Sequence, residues 1–240
     1  MKKRTLFMGL FILLLVGCTT PAATIDRETL YQISTINSLF SGHYDGFETV
    51  AWLKQHGDLG IGTFDTLNGE MIVIDGHVYQ ALSDGSLQQP PDSTKVPFAN
   101  VTSFDQDISK DLGQVDSVAA LQEAILNLIP RKDAFYAIRL EATFKTIKVR
   151  TVASQTKPYL PLEEVLKSPI VFEYENVNGS VVGFWSPDYV GKVNLPGYNL
   201  HFISDDHTKG GHLVEASMTN VILKLDETRN FELTMNPAGD

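Results

Sequence analysis

The chain has 240 residues, of which 43% are hydrophobic and 20% are charged, so it is long enough to bury a core and lacks the composition of a disordered protein. Its formal net charge of −10 argues against nucleic acid as a partner, because both molecules would be negatively charged. The single cysteine excludes a disulfide within one chain, so stability must come from the hydrophobic core or from association.

The N-terminus differs from the body of the chain. Three basic residues at positions 2–4 precede an apolar run from Leu6 to Val16, which is too short for an ordinary membrane-spanning helix. We therefore interpret residues 1–17 as a secretion signal. The four residues Leu15-Val16-Gly17-Cys18 resemble the bacterial lipobox, in which the cysteine becomes the first mature residue and carries lipid.

This resemblance predicts an exported protein that is lipid-anchored to the bacterial cell membrane through Cys18, or secreted. A small apolar residue near an ordinary signal cleavage site is the alternative interpretation. Removal of residues 1–17 takes away three of the 19 basic residues and none of the 29 acidic ones, which leaves a net charge of −13. No basic patch would then help membrane attachment, so contact with the membrane would depend on the lipid alone. Residues 18–29 form a short polar tether.

The first half of the body is rich in predicted strands. Alternating apolar and polar residues predict a strand at 30–36, with a turn at 37–42, and Val50 to His56 predicts a short helix. Turn-forming residues then separate further β-rich segments, which indicates an antiparallel meander followed by another strand. The predicted strands of this region are 59–64, 71–74, 77–81 and 96–102.

The clearest helix covers 118–128. Asp116 or Ser117 can cap it, and apolar side chains recur on one face until Pro130 stops it. This pattern is typical of a helix that packs one side against a sheet.

A long β-rich run follows at 134–153, and a short helix is predicted at 161–166. The turn-forming pair Asn178-Gly179 lies between two apolar runs and predicts a hairpin of strands 170–174 and 180–185.

Runs of strands with a few segregated helices indicate an α+β fold, with two lobes built on mostly antiparallel or mixed β-sheets. Polar residues and prolines cluster at 156–161 and offer a candidate boundary. We therefore predict an N-terminal lobe at 30–157 and a C-terminal lobe at 158–240, whose last strand covers 220–225.

The stretch 194–214 holds half of the chain's histidines and is predicted to form two strands joined by a polar turn. Asn199, His201 and Ile203 share one face of the first strand, and the second strand begins at His212. Neutral imidazoles on adjacent strands can converge on a metal ion, so the hairpin is a candidate metal site. The alternative interpretation is that these histidines are ordinary polar residues of a hairpin.

Several separated motifs between Tyr31 and Leu225 occur in the order of one known family. They are Ser34-Thr35-Ile36-Asn37, Gly57-Asp58-Leu59-Gly60-Ile61-Gly62-Thr63, Leu67-Asn68-Gly69-Glu70-Met71, Phe135-Tyr136-Ala137, Arg150-Thr151-Val152, and Pro196-Gly197 through Gly210-Gly211-His212. Together they resemble the bacterial α-acetolactate decarboxylases. The resemblance implies an α+β fold with two β-sheet lobes, a homodimer, and conversion of 2-acetolactate to acetoin and carbon dioxide.

The same resemblance implies one zinc ion held by three histidines. His201 and His212 match two of them, whereas Asn199 stands where the family has the third. An amide oxygen is a weak zinc ligand, so Asn199 is expected to weaken the metal site even if it contributes a ligand atom.

The resemblance also assigns catalytic roles to Glu70 and Arg150 and a substrate contact to Thr63. In 2-acetolactate the ketone lies β to the carboxylate, so the electrons left by departing carbon dioxide can move into that carbonyl, and no thiamine diphosphate is needed. A divalent metal would stabilise the oxygen that gains this charge. Arg150 would hold the carboxylate or assist protonation, and Glu70 would orient the substrate or relay protons. Judged from the residues alone, Glu70 also fits a solvated turn residue and Arg150 an exposed strand residue.

Further alternatives concern the missing ligand. His207 could replace it only if the polar turn folded back over the ion. The family carries a glutamate in a C-terminal extension that reaches the metal, and this sequence ends at Asp240, so Glu232 or Asp240 would have to compensate. The alternative function is a catalytically reduced homologue that acts as a surface or binding lipoprotein.

Overall fold

A computed structural model describes residues 26–237 of the chain, which form strands, a few short helices and their connections. The strands are β1 (Thr29–Ile33), β2 (Glu48–Thr49), β3 (Leu59–Thr63), β4 (Glu70–Ile74), β5 (His77–Ala81), β6 (Leu87–Gln88), β7 (Lys95–Val96), β8 (Phe98–Thr102), β9 (Ile108–Val115), β10 (Phe135–Thr151), β11 (Ile170–Ser186), β12 (Gly197–Ser204), β13 (Gly210–Thr228) and β14 (Asn230–Thr234). The helices are α1 (Ile36–Phe40), α2 (Val50–His56), α3 (Val118–Leu128) and α4 (Leu162–Val165), with 3₁₀ turns at Asp65–Leu67 and Asp188–Val190.

Two large sheets organise these elements. The first has the order β14-β1-β8-β3-β4-β5-β6 and is antiparallel except for the parallel pair β1 and β14. The second has the order β10-β11-β12-β13-β9, and β10 also pairs with β13, so four of its strands close on themselves. β2 and β7 form a separate two-stranded sheet. The predicted α+β fold is therefore confirmed.

Two of the hydrophobic core clusters lie on opposite faces of the second sheet. Helix α3 buries Leu121 and Ile125 in a cluster with side chains of β10 and β13. The opposite face packs on the first sheet, where Ile61 of β3 and Ile72 of β4 join a cluster with Val182 of β11. Because this second cluster removes apolar surface of both sheets from water, it holds the two sheets face to face. Polar side chains between them are consequently shielded from solvent.

Helices α2 and α3 lie where the sequence predicts them. The hydroxyl oxygen of Ser117 accepts a hydrogen bond from the Ala120 amide (3.1 Å), so Ser117 rather than Asp116 is the N-cap of α3. The predicted meander of β3, β4 and β5 is also confirmed by the register of its strands.

The predicted hairpin at Asn178-Gly179 is wrong, because both residues lie inside the continuous strand β11. Asn178 pairs with Thr143 of β10, whose hydroxyl donates to the Asn178 side-chain oxygen at 2.8 Å. A Cβ atom added at Gly179 would lie 2.4 Å from Ile203 O, so the glycine allows a close approach of β12. The Asn-Gly pair thus serves strand packing and makes no turn.

Three other boundaries differ from the predictions. The segment 37–42 is mostly helix α1, because the Thr35 hydroxyl caps it by accepting the Ser38 amide at 3.1 Å. The predicted last strand at 220–225 is part of the longer β13. The proposed lobe boundary near 157 does not separate the sheets, since β10 and β11 on either side of it pair with each other.

The sheets instead divide the chain between β8 and β9, and β14 returns to the first sheet. The long-range pairing of β14 with β1 leaves no local sequence signal. No helix within residues 26–237 is long and apolar enough to cross a membrane. Cys18, the predicted signal at 1–17 and most of the tether at 18–29 lie outside the described residues.

Candidate active site

The histidine hairpin forms as predicted and presents its two imidazoles side by side. His201 of β12 lies directly opposite His212 of β13, and their ring centroids are 5.2 Å apart. Arg150 of β10 lies opposite His212 on the other side of β13. A Cβ atom at Gly211 would lie only 2.9 Å from Arg150 O, so the glycine before His212 allows β13 to approach β10 closely.

The tautomer of His201 is fixed by a backbone carbonyl. Its Nδ1 lies 2.7 Å from Met71 O, and a carbonyl oxygen can only accept, so Nδ1 carries the proton. The other ring nitrogen, Nε2, keeps its lone pair and faces Glu70 Oε2 at 3.5 Å. A histidine held in this way through its second nitrogen is prepared to bind a metal ion.

Both imidazoles are uncharged at neutral pH. Burial lowers the pKa of His201 to about 4, against an opposing effect of the bond to Met71. Burial, followed by the neighbouring His201, lowers the pKa of His212 well below its usual value. Neutral imidazole is the form that coordinates metals, so no proton has to be removed from either ring before binding.

Glu70 is buried, with 8% of its surface exposed, which excludes the interpretation as a solvated turn residue. It begins β4 and pairs with Thr63 of β3 and with Ala81 of β5. Burial raises the pKa of Glu70 to about 7, and the nearby Arg150 opposes that shift. The carboxyl group therefore gains or loses its proton near neutral pH.

Glu70, His201 and His212 each offer one ligand atom, and these three atoms all lie within 4.8 Å of one another. Ligand atoms around a tetrahedral zinc ion are roughly 3.3 Å apart, so the 3.5 Å between His201 Nε2 and Glu70 Oε2 already fits. Small side-chain rotations would bring the third atom into range. Two nitrogens and one carboxylate oxygen form a donor set that accepts several divalent metals.

Arg150 supplies positive charge at the edge of this group. Its Nη1 atom lies 4.0 Å from Glu70 Oε1, too far for a hydrogen bond, and its side chain is 24% exposed. The guanidinium therefore remains available to an anionic ligand. Arg150 lines the cavity and does not lie on a fully exposed strand face.

These groups line one small cavity of about 110 Å³. Its polar side is formed by Thr63, Glu70, Arg150, Asn199, His201 and His212. Its other side is apolar and comprises Ile36, Leu39, Phe40, Leu67, Phe98, Val152, Leu162, Leu166 and Leu195, with Gly62 also in the lining. A polar ligand in this cavity would meet charged groups on one side and little water on the other.

Thr63 lines the cavity but its hydroxyl hydrogen is already used. Thr63 Oγ1 donates to Gly69 O at 2.8 Å and is buried with 4% of its surface exposed. The bond holds the peptide that immediately precedes Glu70. Thr63 therefore helps to position Glu70, and its oxygen can still accept a hydrogen bond from a ligand.

Asn199 lies in the cavity lining, two positions before His201 on the same strand face. His207 lies in the exposed hairpin turn, where its Nδ1 is 3.2 Å from the Tyr79 hydroxyl, and it is absent from the ligand group. Glu232 pairs along β1 and is not in the cavity lining. Asp240 lies outside the described residues.

Sequence reasoning missed two features of the site. It predicted Glu70 as a catalytic residue but not as a member of the ligand group, because the strand pairing that brings β4 beneath β12 leaves no local pattern. It also missed the apolar wall from α1, which was predicted as a turn. The Thr35 cap was the available signal for that helix.

The fold and the donor set define an α+β protein with a buried site suited to a divalent metal. A sequence profile described as alpha-acetolactate decarboxylase matches residues 30–240. The alpha-acetolactate decarboxylase of Methanosarcina mazei is 42% identical over 213 residues, covering 89% of this chain and 74% of the relative. That of Methylococcus capsulatus is 42% identical over 219 residues, covering 91% and 84%.

The crystal structure of alpha-acetolactate decarboxylase from Bacillus subtilis strain 168 superimposes with a TM-score of 0.84 at 34% identity, covering 87% of this chain and 89% of that one. The chain therefore belongs to the alpha-acetolactate decarboxylase family. The alternative of a catalytically reduced surface lipoprotein finds no support in these comparisons.

Proposed function

We propose that the chain decarboxylates 2-acetolactate to acetoin and carbon dioxide in the cavity between the two sheets. The observation that carries the proposal is the convergence of Glu70, His201 and His212 beside Arg150 in a small buried space. Membership of the family supports the same reaction. Another small acid would be decarboxylated by the same route only if its carboxylate, hydroxyl and ketone had the same arrangement.

The electrons in this reaction need an acceptor, which the substrate itself contains. The bond between the carboxylate carbon and the hydroxyl-bearing carbon breaks, carbon dioxide leaves, and the electron pair moves into the ketone to give an enediolate. One proton then adds to the carbon that lost carbon dioxide, which yields acetoin. The site must therefore stabilise a developing oxyanion and supply one proton.

We assign the metal ligands to His201, His212 and Glu70, with zinc or another divalent ion as the cofactor. The fixed tautomer of His201 and the neutral state of both rings support this assignment. When bound, the ion would supply positive charge to the ketone and hydroxyl oxygens of the substrate. We further propose that Asn199 binds the ion more weakly than a histidine there would, so metal affinity and activity are reduced.

The remaining polar residues orient the substrate. Arg150 binds its carboxylate through the guanidinium, which fixes the direction of the bond that breaks. With its pKa near 7 in the metal-free protein, Glu70 would release its proton on becoming a ligand and contribute negative charge to the site. Thr63 holds the Gly69 peptide and thereby the start of β4. The apolar wall excludes water from these interactions.

The location and assembly of the protein are separate proposals. The lipobox resemblance at Cys18 supports export and lipid anchoring, and mass spectrometry of the mature N-terminus would detect the acyl chains. The family resemblance supports a homodimer, which sedimentation would detect.

The experiment that tests the proposed reaction is an acetoin assay on the purified mature protein. With a divalent metal supplied, we expect acetoin and carbon dioxide from 2-acetolactate at a rate well above the spontaneous background. Substitution His201→Ala should return the rate to that background, with folding checked by circular dichroism. Acetoin formation at the background rate by the metal-supplied wild type would contradict the proposal.

A further inference from the structure

A buried glutamine lies outside the site but is connected to its apolar wall. Gln32 of β1 has no exposed surface, and its side-chain nitrogen donates to two backbone carbonyls, Ser34 O and Val193 O, both at 2.6 Å. Its side-chain oxygen has no hydrogen-bond partner among residues 26–237. Burying an amide whose oxygen has no partner costs free energy. The two bonds donated by the nitrogen are the hydrogen bonds through which the Gln32 side chain stabilises its surroundings.

The first acceptor, Ser34 O, belongs to the connection that leads into α1. Ser34 has a positive φ of 57°, which is unfavourable for a residue other than glycine, and it is followed by the cap residue Thr35. A bond to the Ser34 carbonyl holds this strained peptide in the orientation that α1 needs.

The second acceptor, Val193 O, belongs to the connection between the Asp188–Val190 turn and β12. The same oxygen accepts the Ile36 amide at 2.9 Å, and Lys192 O accepts the Asn37 amide at 3.1 Å. The free N–H groups at the start of α1 are thus satisfied by this connection. Gln32 fixes the carbonyl to which α1 is bound.

A neighbouring amide pair continues the attachment. Asn100 of β8 lies opposite Gln32 in the strand register, and its side chain is 3.4 Å from that of Asn194, which is buried as well. The Asn194 side-chain oxygen accepts the Leu195 amide at 2.7 Å. Ile36 and Leu195 both line the active-site cavity, so the bonds end on two residues of its apolar wall.

We propose that Gln32 is a positioning residue, which holds α1 and the 191–196 connection together through Ser34 O and Val193 O and so keeps the apolar wall of the cavity closed over the substrate. This inference rests on the proposed function for its kinetic readout. Gln32 does not line the cavity, so its effect on the reaction must pass through Ile36 and Leu195.

The test compares Gln32→Met, which keeps the side-chain length and removes both donors, with Thr102→Val. Thr102 is a matched control because its hydroxyl, also fully buried, donates to Thr29 O at 2.9 Å between the same strands β8 and β1, away from the cavity. We expect Gln32→Met to raise the KM for 2-acetolactate about tenfold while kcat changes less than about threefold. Thr102→Val should lower the melting temperature and leave KM unchanged.

A readout without catalysis separates this inference from the proposed function. Hydrogen exchange of the Ile36 and Leu195 amides should accelerate in Gln32→Met and remain slow in Thr102→Val, whether or not the protein makes acetoin. Gln32→Asn, which retains the amide on a shorter side chain, should show the same change to a smaller extent if the methionine variant fails to fold. Unchanged exchange at both amides in a folded Gln32 variant would overturn the proposal, as would a KM equal to that of Thr102→Val.

Discussion

Two concave regions lie along the junction of the two sheets, and the larger one is the less suited to catalysis. The active-site cavity has about 110 Å³, whereas a groove at the other end of the junction has about 610 Å³. In the groove, Arg139 is paired with Asp75 at 2.6 Å, and the exposed His207 shares a hydrogen bond with Tyr79. In the cavity, Arg150 stays 4.0 Å from its acidic neighbour.

Polar groups without a hydrogen-bond partner therefore distinguish the candidate site better than cavity volume does. The paired charges of the groove are satisfied within the protein and screened by water. In the cavity, Nε2 of the buried His201 has no hydrogen-bond donor in the described part of the chain, and the partly exposed guanidinium of Arg150 lies too far from Glu70 for a hydrogen bond. Such groups are costly to maintain unless a ligand completes them.

We expect the largest loss of activity on replacing His212, and no loss on replacing His207 of the same hairpin. His212→Ala removes one of the three proposed ligand atoms, so we expect loss of bound metal and a fall in activity of about 1,000-fold, which corresponds to the several kcal/mol that a metal supplies to a developing oxyanion. His207→Ala, in the groove, should retain both. Metal analysis and the acetoin assay measure the two variants. Equal losses of metal and activity would contradict the assignment of the metal site to the cavity rather than to the groove.

The two arginines should differ in the same way. Arg150→Met removes the group that we propose orients the carboxylate, and we expect kcat/KM to fall about 100-fold with the metal still bound. Arg139→Met breaks a salt bridge of the groove and should keep activity within about twofold. Steady-state kinetics with 2-acetolactate is the measurement. A similar loss in both variants would show that the groove takes part in the reaction.

The raised pKa of Glu70 leads us to expect that the stability of the metal-free protein depends on pH. The folded-state pKa of Glu70 is about 7 against an ordinary value of 4.5, so between these pH values the folded state binds more protons and stability falls as pH rises. When the pH is raised from 4.5 to 7.5, the free energy of unfolding of Glu70→Gln should therefore increase by on the order of 2 kcal/mol relative to that of the wild type.

The lowered pKa values of His201 and His212 act with the opposite sign, because the loss of a proton from a buried imidazole makes stability rise with pH. Both rings are present in both proteins, and their titration lies below pH 6.5, so the difference between pH 6.5 and 7.5 reports on Glu70. Urea unfolding in the presence of a chelator provides the measurement. Thr63→Val, an uncharged change in the same cavity, should shift stability equally at both pH values. A pH-independent difference for Glu70→Gln would show that Glu70 is not the buried acid described above.

We expect the smallest change, a gain in metal affinity, on replacing Asn199. Asn199→His adds an imidazole to the ligand group, and we expect metal affinity to rise about tenfold with a gain in activity. Asn178→His places the same ring in the groove and should leave the affinity of the site unchanged. Competition with a fluorescent chelator measures both. No gain in Asn199→His would indicate that Glu70 already completes the site.

The contrast between local and long-range features also explains what the sequence could predict. Helix α3 and the hairpin of β12 and β13 depend on neighbouring residues, namely the Ser117 cap and the alternation around His201, and both were predictable. The turn predicted at Asn178-Gly179 failed because pairing with β10 outweighs the local preference. The proximity of Glu70 to His201 and His212 depends on two sheets that meet only in the folded chain, so no local pattern predicts it.

The most direct test of the account is a titration of a divalent metal into chelator-treated wild-type protein, with bound metal and acetoin formation recorded on the same samples. We predict no activity above the spontaneous rate before addition and a rise in activity that saturates as bound metal approaches one ion per chain. Full activity in the metal-free protein, or one tightly bound ion without acetoin formation, would contradict the assignment of the cavity as a metal-dependent decarboxylase site.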